Sequence, residues 1–242
     1  MPIHSWDLTP KQAVQLQKEL APRVPTGGKV ATVRRIAAVD VAYLPRQRST
    51  VAACVLLSWP GLEILEQRWH VELTRFPYVP GLLSFREIPA VLEAFQQLSS
   101  PPDLIFVDGH GRAHPRRFGI ATHLGFWLGI PTIGIGKSKL CGDYQQPGIE
   151  KGQAQPLWDG DERIGVVLRS RRGVKPIFVS VGSGISLECC LHWTRATLAR
   201  FRLPEPIRAA DRFSHEAKRM WLRGGPEAAS AAPRETDEMK TG

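Results

Sequence analysis

Cysteine is scarce in this sequence, and none of the four cysteines has the spacing of a metal site. Cys54 and Cys141 stand alone, while Cys189 and Cys190 are adjacent, so the chain contains no C-x2-C pair. This spacing argues against a structural zinc site and against a disulfide scaffold. It favours reduced thiols in a protein of the cytoplasm.

Long apolar runs are absent as well. No segment approaches the roughly 20 consecutive apolar residues of a membrane-spanning helix, and residues 1–7 lack the regions of a signal peptide. We therefore expect no membrane partner. Acidic residues are the minority, with 23 Asp and Glu against 32 Lys and Arg, which gives a formal net charge of +9. This excess favours an anionic partner, nucleic acid first, although a basic surface also serves solubility alone.

A hydrophobic fraction of 43% is sufficient for a core, and the apolar patterning predicts an α/β fold. The expected strands are 35–43, 50–58, 62–71, 103–108, 132–136, 163–169 and 176–181. The expected helices are 9–20, 84–98, 119–128, 186–201 and 207–222. This order matches the ribonuclease H-like architecture, a mixed sheet flanked by helices, in which the first and fourth strands are neighbours. We expect one domain over residues 1–223 and a disordered tail over 224–242.

Two aspartates interrupt strands that are otherwise apolar. Asp40 lies within the predicted strand 35–43, and Asp108 ends the predicted strand 103–108. A buried carboxylate is costly unless a cation or hydrogen-bond donors compensate it, and two on neighbouring strands repel each other. A divalent cation between them would remove both costs, and ligands that are all oxygen suit Mg²⁺ or Mn²⁺. The alternative for Asp108 is a capping role in the turn that follows it.

Glu87 and His215 are further candidates, each with an ordinary alternative. The helix that begins near Glu87 packs over the sheet in this architecture and can aim a third carboxylate at the same cation. Alternatively, Glu87 is a first-turn acid that the helix dipole favours. His215, in the last predicted helix, either orients or activates a water molecule or is an ordinary exposed histidine.

A glycine-rich segment follows the second of the two aspartates. It places His110 and His114 four residues apart, but the glycines favour a loop and no third ligand has the spacing of a zinc site. Backbone amides and arginines in such a loop suit a phosphodiester contact better. Lys137, after the strand 132–136, is placed to stabilise charge on a phosphoryl group. Its surroundings are not a P-loop, because Pro131 replaces the required glycine.

The loop Pro77-Tyr78-Val79-Pro80-Gly81 has two prolines around one aromatic side chain. The prolines restrict the backbone, so the tyrosine can be presented with little ordering cost. A rigid aromatic side chain suits a wedge that fills a duplex when a base is extruded. The alternative is a tyrosine that packs on the core and forms a hydrogen bond through its hydroxyl.

In combination and order, these segments resemble the endonuclease V family over about residues 34–215. The matching segments are Val39-Asp40-Val41-Ala42-Tyr43, Pro77-Tyr78-Val79-Pro80-Gly81, Phe85-Arg86-Glu87, Val107-Asp108-Gly109-His110-Gly111, Ala113-His114-Pro115-Arg116, Gly134-Ile135-Gly136-Lys137-Ser138 and Ser214-His215-Glu216-Ala217. Val79 stands where the family often has isoleucine. Each motif alone is weak, and their shared order carries the resemblance.

The resemblance implies a ribonuclease H-like, Mg²⁺-dependent DNA repair enzyme, in which Mn²⁺ can substitute. It implies a nick at the second phosphodiester bond 3′ to deoxyinosine that leaves a 3′-hydroxyl and a 5′-phosphate, with the lesion still in place. Asp40 and Asp108 would bind one metal ion or two, and Glu87, His215 and Lys137 would complete the catalytic centre. The implied lesion- and DNA-binding residues are Tyr78, Pro77, Pro80, Gly81, His114, Arg86 and Gly109.

The expected partner is double- or single-stranded DNA that contains deoxyinosine. Eukaryotic relatives of the family prefer inosine in RNA, so an inosine-specific endoribonuclease is an alternative. A different ribonuclease H-like nuclease is a second alternative, but such enzymes have no need of the Pro-Tyr-x-Pro loop before Glu87. A catalytically silent nucleic-acid-binding module is a third, and buried carboxylates without a metal would be costly in it.

Overall fold

The computed structural model describes residues 3–30 and 32–225, and its centre is one mixed sheet of eight strands. In chain order the strands are β1 (Arg35–Leu44), β2 (Ser49–Ser58), β3 (Ile64–Leu73), β4 (Leu104–Asp108), β5 (Thr132–Gly136), β6 (Ala154–Asp159), β7 (Glu162–Leu168) and β8 (Ile177–Ser183). Across the sheet their order is β3-β2-β1-β4-β5-β8-β7-β6. Strand β1 is antiparallel to β2 and parallel to β4, so the predicted neighbours and the predicted fold class are confirmed.

Helices cover both faces of the sheet. They are α1 (Pro10–Leu20), α2 (Leu83–Gln96), α3 (Ile120–Leu128), α4 (Leu187–Ala196) and α5 (Glu205–Gly224). Alternate residues of β1 enter two different clusters, one with apolar residues of α2 and α3 and the other with apolar residues of α4 and α5. Both faces of the central strands are therefore buried, as their continuous apolar runs indicate. Within the described residues, no helix is long and apolar enough to cross a membrane.

Two elements differ from the predictions. Strand β6 is missing from the predicted set because it contains Pro156 and several polar residues. It lies at the edge of the sheet, where a proline in a strand is tolerated. Helix α4 ends at Ala196 and not at residue 201. The hydroxyl of Thr197 donates to the carbonyl of Trp193 at that end, a bond that competes with continuation of the helix.

The predicted C-terminal tail lies almost wholly outside the described residues. Its first residue, Gly224, is the last residue of α5, and residues 226–242 are not described. The disorder predicted for this tail stays a prediction.

The register of the central strands places the two aspartates side by side. The last pair between β1 and β4 joins Val39 to Val107, so Asp40 and Asp108 each follow a paired residue at the same edge. Chain continuity then takes β1 onward beside β2, while β4 ends and turns into the glycine-rich loop. Strand β1 thus continues past Asp40 whereas β4 ends at Asp108, and the two carboxylates lie side by side.

Glycines allow the loop after β4 to lie against its neighbour β5. A Cβ atom on Gly134 of β5 would stand 2.4 Å from the backbone nitrogen of Gly111, closer than side-chain atoms approach backbone. Gly109 has a φ of +154°, and a Cβ there would be 2.5 Å from the side chain of Ile120. The loop is thus held directly over the sheet edge by contacts that only glycine permits.

Candidate active site

Three aspartates from different elements meet at the edge of the sheet. One carboxylate oxygen each from Asp40 on β1, Asp108 on β4 and Asp211 on α5 lie within 4.8 Å of one another. Strand pairing sets the first two, and α5 brings the third across the sheet. This spacing is compatible with ligands that share one cation, and oxygen-only ligands suit a hard divalent ion.

Two side chains bind this aspartate cluster. Lys137 Nζ, at the end of β5, lies 2.5 Å from Oδ2 of Asp108 and 3.2 Å from Oδ1 of Asp211. Ser214, one turn along α5, donates its hydroxyl to Oδ2 of Asp40 at 2.6 Å. The lysine supplies one positive charge to three carboxylates, so the cluster keeps an excess of negative charge.

The carboxylates lie in an environment that disfavours their ionised form. Burial and the neighbouring charge of Asp40 raise the pKa of Asp108 to about 6, against the opposing charge of Lys137. Burial also raises the pKa of Asp40, although the hydrogen bond from Ser214 opposes the shift. Burial alone would lower the pKa of Lys137, but Asp108 and Asp211 raise it above its ordinary value. A strongly raised carboxyl pKa beside other acids is typical of a functional site.

The donor set fits a divalent cation. Oδ2 of Asp108 is buried, and the Lys137 ammonium is the one cation that forms a salt bridge with it among the described residues. Three neighbouring carboxylates with one ammonium between them keep an excess of negative charge that is costly to bury, and a divalent cation would remove that cost. The residues that would hold the cation are Asp40, Asp108 and Asp211.

Glu87 lies at a cavity of 200 Å³ that two of the aspartates also line. The cavity is lined by Glu87 on α2, by Asp40 and Asp108, and by apolar side chains of the strands and helices around them. Burial and then the charges of Asp40 and Asp108 raise the pKa of Glu87 to about 8, while Arg86 opposes the shift. The structure therefore brings Glu87 to the carboxylates from the opposite face of the sheet to Asp211, as the sequence predicted.

A separate cavity of 220 Å³ opens beneath the proline-rich loop. It is lined by the loop from Tyr78 to Gly81, by Gly109 and His110 of the glycine-rich loop, and by apolar residues of α2 and α3. Leu83 and Ile120 line both this cavity and the one that holds Glu87, so the two cavities adjoin. Tyr78 is 72% exposed, which excludes the alternative that it packs on the core.

The carbonyl of Gly81 anchors the proline-rich loop. It accepts hydrogen bonds from Nε2 of Gln17 at 3.1 Å, from Nε2 of His114 at 3.0 Å and from Nη2 of Arg116 at 2.8 Å. Gly81 has a φ of +78°, and a Cβ there would be 2.7 Å from Arg116, so the position requires glycine. Three side chains thus hold the end of the loop that carries Tyr78.

The geometry gives His114 a structural role beside the cavity beneath Tyr78, and the DNA contact predicted for it stays a prediction. The ring is only 2% exposed, Nε2 donates to Gly81, and Nδ1 accepts from the backbone N–H of Arg116. Burial, followed by the charge of Arg116, lowers the pKa of His114 to about 4, so the ring is neutral at pH 7. His114 therefore braces the loop above the cavity, and both nitrogens of its ring take part in these hydrogen bonds.

Arg86 and Pro77 also lie away from the cavity beneath Tyr78. The Arg86 guanidinium carbon is 4.4 Å from the ring centroid of Tyr43, and Nη1 donates to the carbonyl of Phe76 at 3.0 Å. Pro77 lines a different groove, on the far side of the loop. Arg86 thus links β1 to the beginning of the loop, and the lesion contact predicted for each residue stays a prediction.

Known proteins resemble this chain in sequence over most of its length. A family model described as Endonuclease V matches residues 18–212 of this chain. The chain belongs to the endonuclease V family. An Endonuclease V of Gloeobacter violaceus is 45% identical to it over 217 residues, which cover 88% of each chain. The predicted family is therefore confirmed, and the acidic cluster lies in a nuclease.

Solved structures of endonuclease V have the same fold. That of the Streptomyces avermitilis protein matches with a TM-score of 0.83 at 44% identity, covering 89% of this chain and 95% of that one. Endonuclease V of Ciona intestinalis, in complex with a 23mer DNA containing an inosine followed by a ribo-adenosine, matches with a TM-score of 0.76. The identity is 26%, covering 88% of this chain and 99% of that chain.

Asp211 is the residue of this endonuclease V centre that the sequence analysis missed. It stands four residues before His215, so the two side chains lie on one side of α5. His215 is exposed and is not among the three ligand-bearing residues. The one sequence signal for Asp211 is its spacing, since it precedes Ser214 by three residues and His215 by four, about one helical turn. The catalytic role of His215 stays a prediction.

The raised pKa of Glu87 generates a stability prediction for the metal-free protein. An acid whose pKa is higher in the folded than in the unfolded state stabilises the fold only while protonated, so stability falls as pH rises from about 4.5 to about 8. Glu87→Gln should therefore raise the free energy of unfolding at pH 7.5 in EDTA, by on the order of 1–3 kcal/mol. Urea unfolding at pH 7.5 and at pH 4.5 would measure this.

The gain should largely disappear at pH 4.5, where the folded wild-type residue is protonated and the unfolded one is about half protonated. Glu93→Gln, which changes an exposed acid on the same helix, is the matched control and should change neither value. An equal gain at both pH values would show that the stabilisation does not come from the charge of Glu87.

Proposed function

We propose that this endonuclease V nicks DNA at the second phosphodiester bond 3′ to deoxyinosine, leaving a 3′-hydroxyl and a 5′-phosphate with the lesion in place. The observation that carries the proposal is the adjacency of the aspartate cluster to the cavity beneath Tyr78. Leu83 and Ile120 separate the two, so a strand with one base in the cavity has its backbone beside the carboxylates. The base is then recognised in the cavity, while a phosphodiester bond farther along the same strand is cut at the aspartates.

The cofactor we propose is Mg²⁺, with Mn²⁺ as a substitute, held by Asp40, Asp108 and Asp211. Three carboxylate oxygens within 4.8 Å, whose negative charge Lys137 only partly offsets, support this choice. When bound, such an ion polarises the phosphodiester and lowers the pKa of a coordinated water molecule.

The protein's own residues provide the remaining chemistry. Lys137 places an ammonium between Asp108 and Asp211, where it can offset charge that develops on the phosphate. The hydroxyl of Ser214 fixes the rotamer of Asp40 by donating to Oδ2. Glu87 faces the same cavity from α2 and orients the attacking water through a hydrogen bond, for in-line displacement of the 3′ oxygen.

The cavity beneath Tyr78 suits an extruded hypoxanthine. Its volume of 220 Å³ is appropriate to one base, and Leu83, Phe118 and Ile120 provide apolar surface against which a ring can pack. Extrusion from an inosine pair is inexpensive because that pair is weak, and Tyr78 can occupy the space left in the duplex. The Ciona endonuclease V complexes with inosine-containing DNA support an inosine-bearing ligand.

A second candidate is cleavage of inosine-containing RNA. The DNA in the Ciona complexes has a ribo-adenosine after the inosine, and this supports a substrate with ribonucleotides for this chain as well. We also propose a cytoplasmic location, which is supported by four cysteines that are all free thiols.

The principal test is a denaturing-gel cleavage assay with a 5′-labelled duplex that carries one deoxyinosine. With Mg²⁺, the product should end one nucleotide beyond the lesion, and Asp211→Asn should reduce the rate about 100-fold or more because a ligand charge is lost. Asp143→Asn, which changes a 98% exposed aspartate, is the matched control and should cut normally. Cleavage of an inosine RNA but not of the DNA would move the substrate to RNA, and cleavage of neither would refute the proposal.

The second prediction concerns the wedge. Tyr78→Ala should weaken binding to deoxyinosine DNA about tenfold, because stacking on an aromatic ring is lost, and should change binding to undamaged DNA much less. Tyr78→Phe, which keeps the ring, should bind as the wild type does. Fluorescence anisotropy with both duplexes in Ca²⁺ would measure this, and equal losses on the two would exclude a wedge.

The third prediction concerns the cation. Replacing Mg²⁺ with Ca²⁺ should preserve binding to the deoxyinosine duplex but slow cleavage by about 100-fold or more, since Ca²⁺ accepts looser geometry and acidifies water less. Mn²⁺ should restore cleavage, and EDTA should abolish it. Rapid cleavage in Ca²⁺ or in EDTA would contradict the proposed role of the aspartates.

A further inference from the structure

A second exposed tyrosine, Tyr43, lies on the strand that carries Asp40. The chain has three tyrosines, and Tyr43 is 37% exposed at the far end of β1. It belongs to none of the hydrophobic clusters that other residues of β1 enter. Its ring is therefore held at the surface and is not part of the core.

Two cations hold Tyr43 in place. The Arg86 guanidinium carbon is 4.4 Å from the ring centroid, and Lys218 of α5 donates from Nζ to the Tyr43 carbonyl at 2.9 Å. Within residues 3–30 and 32–225, neither Arg86 nor Lys218 forms a salt bridge with an acid. An exposed aromatic residue with one cation against its ring and another at its backbone carbonyl suits nucleic acid, because the ring can stack on a base or sugar and the cations attract phosphate.

The position of Tyr43 fits the path of a strand that leaves the carboxylates. Tyr43 is three residues beyond Asp40, about 10 Å along β1, and Lys218 is seven residues beyond Asp211, about 10 Å along α5. The two elements therefore run away from the aspartate cluster in the same direction and meet at the bond between Lys218 and Tyr43. A duplex strand advances about 3.4 Å per nucleotide, so this distance corresponds to about three nucleotides.

We propose that Tyr43, Arg86 and Lys218 form a subsite for the nucleic-acid backbone and base about two to three nucleotides from the bond that is cut. The subsite rests on the proposed function, since it assumes that the aspartates cut a polynucleotide. Tyr43 stacks on the bound strand, Lys218 contacts a phosphate, and Arg86 supports the ring from beneath. Tyr43 then adds a contact to the strand beyond the one that Tyr78 provides.

The test compares one long substrate with two short ones. The long deoxyinosine duplex extends at least ten nucleotides on each side of the cut. One short duplex ends directly 5′ of the deoxyinosine, and the other ends one nucleotide beyond the cut on the 3′ side. Tyr43→Ala should raise KM about tenfold on the long duplex with little change in kcat, and the effect should vanish on one of the two short duplexes. Tyr43→Phe retains the ring and should match the wild type on all three.

Lys218 gives an independent measurement. Lys218→Gln should reduce the slope of log Kd against log salt concentration by about 1 on a long undamaged duplex, because one phosphate contact is lost. Lys151→Gln is the matched control. Lys151 also donates to a backbone carbonyl, that of Ala199, but it lies just before β6 at the opposite edge of the sheet. It should leave the slope unchanged.

The outcomes separate the subsite from the proposed function. An equal rise in KM on all three duplexes would show that Tyr43 only maintains the structure, and an unchanged salt slope for Lys218→Gln would remove the phosphate contact. If the wild type cuts none of the duplexes, the proposed function fails. The subsite is then decided by Kd on the undamaged duplex, where both variants should still bind more weakly and an undiminished affinity would overturn it.

Discussion

Mutual repulsion of carboxylates is the constraint on which the site depends. Asp40, Asp108 and Asp211 lie so close together that Lys137 alone does not neutralise them, and Glu87 adds a fourth acid. No packing of apolar residues offsets that cost, whereas a divalent cation does. The parallel pairing of β1 with β4 and the crossing of α5 over the sheet are the features that bring the acids to one point. The acidic cluster therefore lowers the stability of the cation-free fold, and the same repulsion would favour binding of a divalent cation.

Three hydrogen bonds to one carbonyl hold the C-terminal end of the proline-rich loop. Gly81 accepts hydrogen bonds from Gln17, His114 and Arg116, which come from α1 and from the loop after β4. A neutral, buried His114 suits this task because its two nitrogens act as one donor and one acceptor in fixed directions. The loop after β4 thus connects the strand that ends at Asp108 to the loop that carries Tyr78.

The sequence predicted the site residues whose type or flanking residues are unusual for the strand or loop that contains them. Asp40 was predictable because a charge within an apolar strand is costly, and Tyr78 because prolines flank it. Asp211 was not predictable in this way, since an acid on an amphipathic helix such as α5 is ordinary and only the fold shows that it faces Asp40. Strand β6 was not predicted for a related reason, because an edge strand that contains a proline lacks the apolar pattern of a buried strand. The role of His114 depended on contacts from residues 33 positions away in sequence.

The distribution of charge has a consequence for how the protein meets its substrate. The net charge is +9, yet the centre itself is acidic, so a polyanion is attracted to the surface and repelled from the point of cutting. A cation at the aspartates reverses the local sign, which means that productive docking of a phosphate and occupancy by the cation favour each other. A metal ion at the aspartates would therefore couple two events, since it would offset the repulsion between the carboxylates and complete the surface to which the strand binds.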